Sequence, residues 1–295
     1  MNTLFHVLTP GMQAIFQDQG RYGFASTGVG SAGSFDRLSA SRANQAVGNR
    51  TSSPVIEILF GGFSIQAHTQ CAVVFSGTHA EISVIKLAGI VEKYYTNHVL
   101  CVEAGDIITL HKPQYGMRAY CAVRGGFDVE PILGSASYDA LSGIGPAPLS
   151  SGDMLCGSNQ FLVEDHWSPE RELPQPQPPL PVETLEVVLG PRDDWFTTET
   201  VASFLSQKFS VSPDSNRIGV RMIPTTPLEH LRSGELASEG MVRGCIQVPP
   251  NGHPVVFGPD HPVTGGYPVI AVLTSAACDR LGQLPPGHIV QFQLA

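Results

Sequence analysis

Basic residues are scarce in this sequence. Its 295 residues include 17 Lys and Arg against 26 Asp and Glu, which gives a formal net charge of −9 at pH 7. Nucleic-acid binding needs clustered Lys and Arg to neutralise phosphates, so we exclude a nucleic-acid surface. An acidic patch that meets a protein partner stays open. Charged residues are few in general, 15% against 42% apolar, which excludes a disordered chain and favours real hydrophobic cores.

Membrane-spanning and leader segments are also missing. No apolar run approaches the ~20 residues that span a bilayer. The first residues, MNTLFHVLTPGMQ, lack the basic and apolar regions of a signal peptide. We therefore expect a soluble, cytoplasmic protein with no membrane partner. The six cysteines form no C-x-x-C pair, and five sit in apolar, strand-like contexts, so we expect reduced thiols rather than disulfides.

Several common catalytic signatures are absent. There is no G-x-x-x-x-G-K-[ST] loop, so the chain has no P-loop for ATP. There is no H-E-x-x-H, and the ten histidines do not form ligand-spaced pairs, so we expect no metal site. Neither a G-x-S-x-G elbow nor a Cys-His signature appears, which leaves hydrolysis through a covalent Ser or Cys with little support.

What the sequence does contain is turn residues between short strands. Its 31 Gly and 24 Pro suit many short strands joined by tight turns. Pieces such as CAVVFSG, MRAYCAVRGG, RIGVRMIP and HIVQFQL are rich in β-branched and aromatic residues and are bounded by turn formers. The spacing of these strands, with few helices between them, predicts a mainly-β protein built from barrels rather than a parallel α/β sheet.

Three helices and one linker interrupt the strands. SFDRLSASRANQAVGN predicts a helix capped by Ser34, with an apolar stripe that includes Leu38 and with Gly48-Asn49 at its end. Further helices are expected over Thr198–Gln207 and over SAACDRLGQL. The segment 166–181 holds six prolines and is predicted to be an extended linker between domains at 1–165 and 182–295.

The first group of polar residues lies in a Gly-rich loop that leads into the first helix. It consists of Gln17, Asp18, Arg21 and Asp36. Exposed backbone N–H groups together with an Arg could bind an anion or a carboxylate. Equally, Asp18 could pair with Arg21 while Asp36 stabilises the helix dipole, which would make the loop a long structural turn.

The second group surrounds two isolated charges beside apolar strands, Arg217 and Glu239. Arg217 could hold a substrate carboxylate or phosphate, with Glu239 or Gln247 orienting the substrate. The alternative is a structural ion pair between Arg217 and Glu239, because a charge that enters a strand core is costly unless it is paired.

The third group is the stretch DHPVTGGYPVIAVL. The Thr264–Gly266 backbone can approach a ligand closely, because glycine has no Cβ. Asp260 is the natural acid or base here, and Tyr267 could stack on a ligand or donate a hydrogen bond to it. The alternative is a wide hairpin fixed by Pro262 and Pro268.

Taken together, these stretches resemble the biotin-dependent carboxyltransferase / allophanate hydrolase subunit 2 family. Its stand-alone bacterial members include the C subunit of 5-oxoprolinase. The resemblance runs over nearly the whole chain. It rests on QDQGRYGFASTGVGSAGSFDRLSASRANQAVGN, EILFGGFSI, RAYCAVRGGFDVEPILGSAS, SSGDML, SNRIGVRM, SEGMVRGCIQVPPNGHPVVFGPDHPVTGGYPVIAVL and LGQLPPGHIVQF.

The resemblance implies a fold of two cyclophilin-like β-barrels and a reaction in which 5-oxo-L-proline is opened to L-glutamate. It implies 5-oxoprolinase subunits B and A as partners, and ATP as a co-substrate of the complex that this chain alone does not bind. Asp260 and Glu239 are then the catalytic candidates. The family's motif positions give as substrate-binding candidates Gln17, Asp18, Arg21, Asp36, Asn216, Arg217, Gln247, Thr264, Gly265, Gly266 and Tyr267.

Two other functions of the family stay open. One is a carboxyltransferase module of a urea carboxylase/allophanate system, although this chain has no biotin carrier segment. The other is a non-catalytic regulatory partner of a kinase-inhibitor-like subunit. The sequence also departs from the family pattern in SASYDALSGIGPAPLSSGD, where an Arg and a Thr are replaced, and in DHPVTGG, where Val-Thr replaces the usual double Thr.

Overall fold

The structure is a computed structural model that describes residues 2–158, 160, 167–169, 173–232, 234 and 236–295. The described residues form twenty strands and three α-helices, so the predicted mainly-β fold is confirmed. The strands are β1 (Asn2–Pro10), β2 (Gln13–Gln17), β3 (Val55–Leu59), β4 (Phe63–Ala67), β5 (Cys71–Ser76), β6 (Glu81–Ile85), β7 (Val91–Tyr95), β8 (Val99–Val102), β9 (Ile107–Leu110), β10 (Arg118–Val123), β11 (Met154–Gly157), β12 (Glu183–Leu189), β13 (Phe209–Val211), β14 (Gly219–Pro224), β15 (Glu239–Gly240), β16 (Cys245–Gln247), β17 (Val255–Phe257), β18 (Thr264–Gly265), β19 (Val269–Leu273) and β20 (Ile289–Leu294). The helices are α1 (Arg37–Ala46), α2 (Thr198–Ser206) and α3 (Ser275–Leu281).

The chain divides into two compact units, neither of which is continuous in sequence. Unit 1 comprises Met1–Arg21, Asp36–Tyr138 and Gly143–Pro178. Unit 2 comprises Tyr22–Phe35, Asp139–Ser142 and Pro179–Ala295. Two short segments from the first half of the sequence thus belong to the second unit. The predicted domain boundaries stay a prediction.

Unit 1 is built from two antiparallel sheets. Their strand orders are β11-β1-β4-β9-β6-β7 and β2-β3-β10-β5-β8. Strands such as β4 alternate buried and half-buried residues, as expected where one face of a sheet packs on a core. β10 is buried along its whole length. Ala119, Cys121 and Val123 belong to one core cluster, while Tyr120 and Ala122 belong to another that includes residues of α1.

Helix α1 begins later than predicted. Its N-cap is Asp36 rather than Ser34, because the Asp36 backbone is extended and its Oδ1 accepts a hydrogen bond from the Ser39 N–H at 2.9 Å. Leu38 is half exposed, so the predicted apolar stripe is wrong at this position. The buried face carries Ala40, Ala43 and Ala46 instead. The predicted end of the helix is confirmed, since Gly48 has the left-handed φ of 70° typical of a helix terminus.

Unit 2 contains a closed seven-stranded barrel. Its strand order is β12-β19-β16-β17-β14-β13-β20, and a parallel pairing of β12 with β20 closes the ring. The interior is filled by a cluster that includes Leu185, Ile246, Val256 and Phe292. α2 packs Phe204 against Phe292, with their rings stacked at 4.7 Å, and α3 adds Cys278 and Leu281 to the same cluster.

Phe35, which comes from the first half of the sequence, completes this core. It is buried in the barrel cluster. Gly258 and Gly282 leave room for its ring, because an added Cβ would lie 3.2 Å and 2.7 Å from its ring carbons. Arg243 donates to the Phe35 carbonyl at 2.7 Å and pairs with Asp279 at 2.6 Å. The Tyr22–Phe35 segment is therefore anchored in unit 2.

Part of the predicted linker belongs to unit 1. The described residues of 166–181 form no helix or strand, whereas residue 166 and residues 170–172 lie outside the described part. Leu173 N–H donates to Asn97 O at 3.2 Å, the Asn97 side chain donates to Pro174 O at 2.6 Å, and Tyr115 OH donates to Pro176 O at 3.0 Å. The extended linker residues up to Pro176 are therefore held by hydrogen bonds.

All six cysteines are free thiols, as predicted. Burial raises the pKa of Cys71 to about 12 and that of Cys121 well above its usual range, so both thiols are poor nucleophiles. None of the described helices has the length and apolar character needed to cross a membrane.

Candidate functional site

In unit 1, Asp18 organises a serine-rich segment. Its Oδ1 accepts hydrogen bonds from the hydroxyls of Ser135 and Ser137, both at 2.6 Å, and from the Gly20 N–H at 2.7 Å. Its Oδ2 accepts from the Ala136 N–H at 2.7 Å. A carboxylate that accepts this many hydrogen bonds is fixed in position. Asp18 therefore positions residues 135–137, the region where the sequence departs from the family pattern.

Gln17 and Arg21 sit beside this network with part of their polar atoms unused. Both side chains are buried. Gln17 Nε2 donates to Tyr138 O at 2.7 Å, and Arg21 Nη2 donates to Ser137 O. Among the described residues, Gln17 Oε1 and Arg21 Nε and Nη1 have no hydrogen-bond partner. The alternative in which Arg21 pairs with Asp18 is thus not what the structure has.

Asp36, the fourth residue of this group, has a structural role. Its carboxylate accepts from the Ser39 N–H and, at 2.6 Å, from the Ser39 hydroxyl, while its own N–H donates to Tyr120 OH at 2.7 Å. Tyr120 OH donates in turn to Glu57 at 3.0 Å, and burial raises the Tyr120 pKa well above its usual value. The cap uses the Asp36 carboxylate, so the structure argues against Asp36 as a substrate-binding residue.

In unit 2, Arg217 and Asp260 form a buried bidentate ion pair. Arg217 Nε lies 2.8 Å from Asp260 Oδ2, and Nη2 lies 2.9 Å from Oδ1. The side chains are 3% and 0% exposed. Arg217 Nη2 also donates to Gly33 O at 2.7 Å, and Asp260 Oδ2 accepts from the Ala140 N–H at 2.9 Å. The pair thus ties residues 22–35 and 139–142 to the barrel.

This geometry corrects three predictions. The ion pair predicted between Arg217 and Glu239 is wrong, because Asp260 takes that place. Arg217 is a poor anchor for a substrate carboxylate, since a protein carboxylate already occupies its fork. Asp260 is a poor acid or base for a substrate, since it has no exposed surface. Burial raises the pKa of the Asp260 carboxyl, and the charge and hydrogen bonds of Arg217 oppose that shift.

Asn216, predicted to bind substrate, shapes the turn before β14. Its Oδ1 accepts hydrogen bonds from the backbone N–H of Ile218 at 2.9 Å and of Gly219 at 3.2 Å. Short polar side chains commonly close turns in this way. The side-chain oxygen is therefore committed to the backbone that leads into the strand.

The predicted glycine loop forms a small two-stranded sheet on the outside of the barrel wall. β15 pairs with β18, with Glu239 opposite Gly265. Ile246 points into the barrel, so its neighbours Cys245 and Gln247 point outwards. Cys245 belongs to a second apolar cluster with Met241, Phe257 and Val269. We call residues 239–240 and 264–267 the glycine flap.

Gln247 forms a hydrogen bond to the flap backbone and leaves room only for glycine at position 265. Its Nε2 donates to Tyr267 O at 3.1 Å, and the side chain is buried. A Cβ at position 265 would overlap this Nε2, so only glycine fits there while the hydrogen bond is made. Gly266 has open space around it, with Leu236 O at 3.6 Å as its nearest neighbour.

The upper side of the flap is exposed and carries a fixed acid. Thr264 and Gly266 are exposed, and Tyr267 is 47% exposed. Glu239 is partly exposed and held by Arg192, whose Nε lies 3.1 Å from Oε2 and whose Nη2 contacts Oε1. The hydrogen bond and the charge of Glu239 raise the Arg192 pKa.

Of the predicted residues in unit 2, the structure brings together Glu239, Gln247 and the Thr264–Tyr267 loop. Arg192 was missed, because it stands 47 residues from Glu239 and belongs to no spacing pattern. Within the described ranges, His, Cys, Asp and Glu side chains form no group of three or more that could hold a metal ion. The flap therefore offers backbone amides, an anchored carboxylate and a Tyr ring, a set suited to a polar organic ligand.

The comparison with protein families decides the wider assignment. The family described as carboxyltransferase domain, subdomain A and B, matches residues 27–294. The chain belongs to this family. The resemblance drawn from the sequence motifs is thereby confirmed.

The individual relatives are either 5-oxoprolinase C subunits or much longer urea-processing enzymes. The chain is 32% identical to the 5-oxoprolinase C subunit of Escherichia coli, over 98% of this chain and 90% of that protein. It is also 32% identical to the urea amidolyase of Lachancea kluyveri, over 98% of this chain but only 17% of that enzyme. The crystal structure of the Kluyveromyces lactis urea carboxylase matches 99% of this chain and 27% of that one, with 30% identity and a TM-score of 0.87.

The Arg217–Asp260 pair generates a prediction about stability. Arg217→Met leaves the Asp260 carboxylate buried and unpaired, so we expect the free energy of unfolding to fall by about 3–5 kcal/mol. Urea unfolding followed by tryptophan fluorescence is a suitable measurement, because Trp195 packs against the barrel core.

The matched control is Arg192→Met, which breaks the more exposed pair with Glu239. It should change the free energy of unfolding far less than Arg217→Met does, because solvent screens this pair. Full stability of Arg217→Met together with a loss of activity would contradict a structural role for the pair. That result would support the interpretation in which Arg217 binds a substrate anion.

Proposed function

We propose that this chain is a subunit of an ATP-dependent 5-oxoprolinase, which opens 5-oxo-L-proline to L-glutamate together with subunits A and B. The observation that carries the proposal is the likeness to the 5-oxoprolinase C subunit of Escherichia coli, because it extends over 98% of this chain and 90% of that protein. The urea amidolyase of Lachancea kluyveri is equally identical, but the match covers only 17% of it.

The glycine flap is well suited to the substrate of such an enzyme. A lactam is a planar amide, and exposed glycine backbone can approach one closely because no Cβ stands in the way. Exposed Thr264 and Gly266 offer N–H and C=O groups of their own, and Tyr267 adds a ring that can cover the lactam face. We propose that the flap orients the amide for ring opening.

Glu239 is the acid–base candidate that the geometry leaves. Asp260 is sealed in its ion pair, whereas Glu239 keeps exposed surface next to the flap backbone. Arg192 fixes the Glu239 carboxylate, so this side chain can hold a proton at a defined place during ring opening. ATP would supply the activation of the lactam oxygen, and the partner subunits are expected to hold it, since this sequence has no P-loop.

The proposal predicts that activity needs the partners. This chain alone should show no ATP-dependent release of L-glutamate from 5-oxo-L-proline, and activity should appear when subunits A and B are added. A coupled assay for L-glutamate and ADP measures this directly. Robust turnover by this chain alone would contradict the claim that it needs subunits A and B. A fully assembled complex without any turnover would contradict the proposed function.

A second prediction concerns Glu239. In the assembled complex, Glu239→Gln should lower kcat by roughly 100-fold or more, the usual contribution of a positioned general acid or base. The unfolding midpoint should hardly move, because the pair with Arg192 is partly exposed.

Glu199→Gln is the control for this variant, because Glu199 lies at the start of α2 and outside the flap. It should leave kcat unchanged. If Glu239→Gln kept full activity, the acid–base role of Glu239 would be wrong, although the subunit assignment could stand.

A carboxyltransferase role is the second candidate, favoured by the structural likeness to the Kluyveromyces lactis urea carboxylase. It requires a carboxylated biotin carrier as a partner. Transfer of the carboxyl group from such a carrier to urea in the presence of this chain, without any ring opening of 5-oxo-L-proline, would favour it over the oxoprolinase role.

A further inference from the structure

A cleft of about 590 Å³ opens on the outer face of the barrel, entirely within unit 2. Strand β14 contributes Arg221 and Ile223, which face outwards because Val220 and Met222 alternate with them and belong to the barrel core. The remaining side chains of the lining are Ser212, Asp214, Pro249, Asn251, His253 and Val255. A cleft of this size is typical of sites for small organic ligands. It shares no residue with the glycine flap.

Backbone hydrogen bonds fix both sides of this cleft to β14. On one side, Ser212 N–H donates to Arg221 O at 2.9 Å. On the other side, Met222 N–H donates to Pro254 O at 2.8 Å. The turn after β13 and the loop between β16 and β17 are therefore held in place around the cleft.

Arg221 differs from the other arginines of unit 2. Five of the six pair with an acidic residue, namely Arg192 with Glu239, Arg217 with Asp260, Arg232 with Asp194, Arg243 with Asp279 and Arg280 with Glu183. The Arg221 guanidinium forms no ion pair within the described part of the chain. Since arginine keeps its charge at physiological pH, Arg221 presents an uncompensated cation to the cleft.

Asp214 supplies the opposite charge at the same cleft. It is exposed, and its carboxylate has neither a hydrogen bond nor an ion pair with the residues that the structure describes. Asp214 and Arg221 thus line one cleft without pairing with each other. Ile223, which is 44% exposed, and Val255 add apolar surface. A ligand that satisfies both charges and covers this surface carries an anion and a cation on a short organic frame.

We propose that this cleft binds a free α-amino acid, with its carboxylate on Arg221 and its ammonium group on Asp214. In an α-amino acid both groups are bonded to one carbon, so a single small molecule can engage both charges of the cleft. A simple carboxylate is repelled by Asp214 and a simple amine by Arg221. The two charges together therefore select a zwitterion.

The other polar groups of the cleft indicate which amino acid binds. Asn251 Oδ1 accepts a hydrogen bond from the His253 N–H at 3.1 Å, which leaves the Asn251 amide nitrogen as a donor beside the His253 ring. Both side chains can donate to a second carboxylate. We therefore expect L-glutamate, a choice that rests on the proposed function because L-glutamate is the product of that reaction. 5-Oxo-L-proline has no ammonium group, so the cleft would distinguish the product from the substrate.

Isothermal titration calorimetry of the full chain tests this site. The probes are L-glutamate, L-leucine and glutarate, which is L-glutamate without its ammonium group. We expect saturable binding of L-glutamate, weaker binding of L-leucine and the weakest binding of glutarate. Arg221→Met and Asp214→Asn should each raise the Kd for L-glutamate roughly tenfold. Asp214→Asn should not weaken the binding of glutarate.

Arg232→Met and Asp194→Asn are the matched controls, because these two residues form an exposed ion pair outside the cleft. Both should leave the Kd for L-glutamate unchanged. Without ligand, Arg221→Met and Asp214→Asn should keep the Tm of the natural chain, since exposed charges without an ion pair contribute little to stability. A marked fall of that Tm would assign the two residues a structural role instead.

Three results of the titrations would overturn the proposal. These are no saturable binding of either amino acid, an equal Kd for L-glutamate in the natural chain and Arg221→Met, or binding of glutarate as tight as that of L-glutamate. Equally tight, Arg221-dependent binding of L-leucine and L-glutamate would support the amino-acid site and contradict the assignment of the product. Failure of the proposed function is distinguished by turnover in the assembled complex, because binding at the cleft is measured with this chain alone.

Discussion

The buried ion pair between Arg217 and Asp260 is the constraint on which unit 2 depends. Each partner satisfies the other through two hydrogen bonds, and each reaches one further chain segment, at Gly33 O and at the Ala140 N–H. Removal of either charge leaves the other buried and unpaired. The pair thus makes residues 22–35 and 139–142 part of the barrel unit, and Phe35 fills its core as a result.

Because this pair is structural, the remaining candidate residues fall into two groups, an exposed one in unit 2 and a buried one in unit 1. Glu239 and the Thr264–Tyr267 backbone form an exposed flap fixed by Arg192 and Gln247, which are the contacts expected of a preorganised binding surface. In unit 1, Gln17 and Arg21 are buried, and some of their polar atoms have no partner among the described residues. Proteins rarely leave such groups unsatisfied, and those that do so often use them for function.

Strands and turns could be predicted from the sequence, because alternation and Gly or Pro punctuation are local signals. Which residues pair with each other over long distances in sequence could not be predicted. Ser34 and Asp36 are both good capping residues two positions apart, and only the observed helix start distinguishes them. Glu239 was the predicted partner of Arg217, but the structure has Asp260 in that place, since long-range pairing leaves no local pattern. The barrel closes through parallel pairing of β12 with β20, its first and last strands in the sequence. This pairing is likewise set by packing and leaves no local signal.

Hydrogen exchange in Asp260→Asn measures the central constraint most directly. The Ala140 amide donates to Asp260, and the Gly33 carbonyl accepts from Arg217. We expect peptides that cover residues 22–35 and 139–142 to lose protection together, while peptides from β12 and β19 keep theirs. Unchanged protection in those two segments would contradict the claim that this ion pair holds them in place.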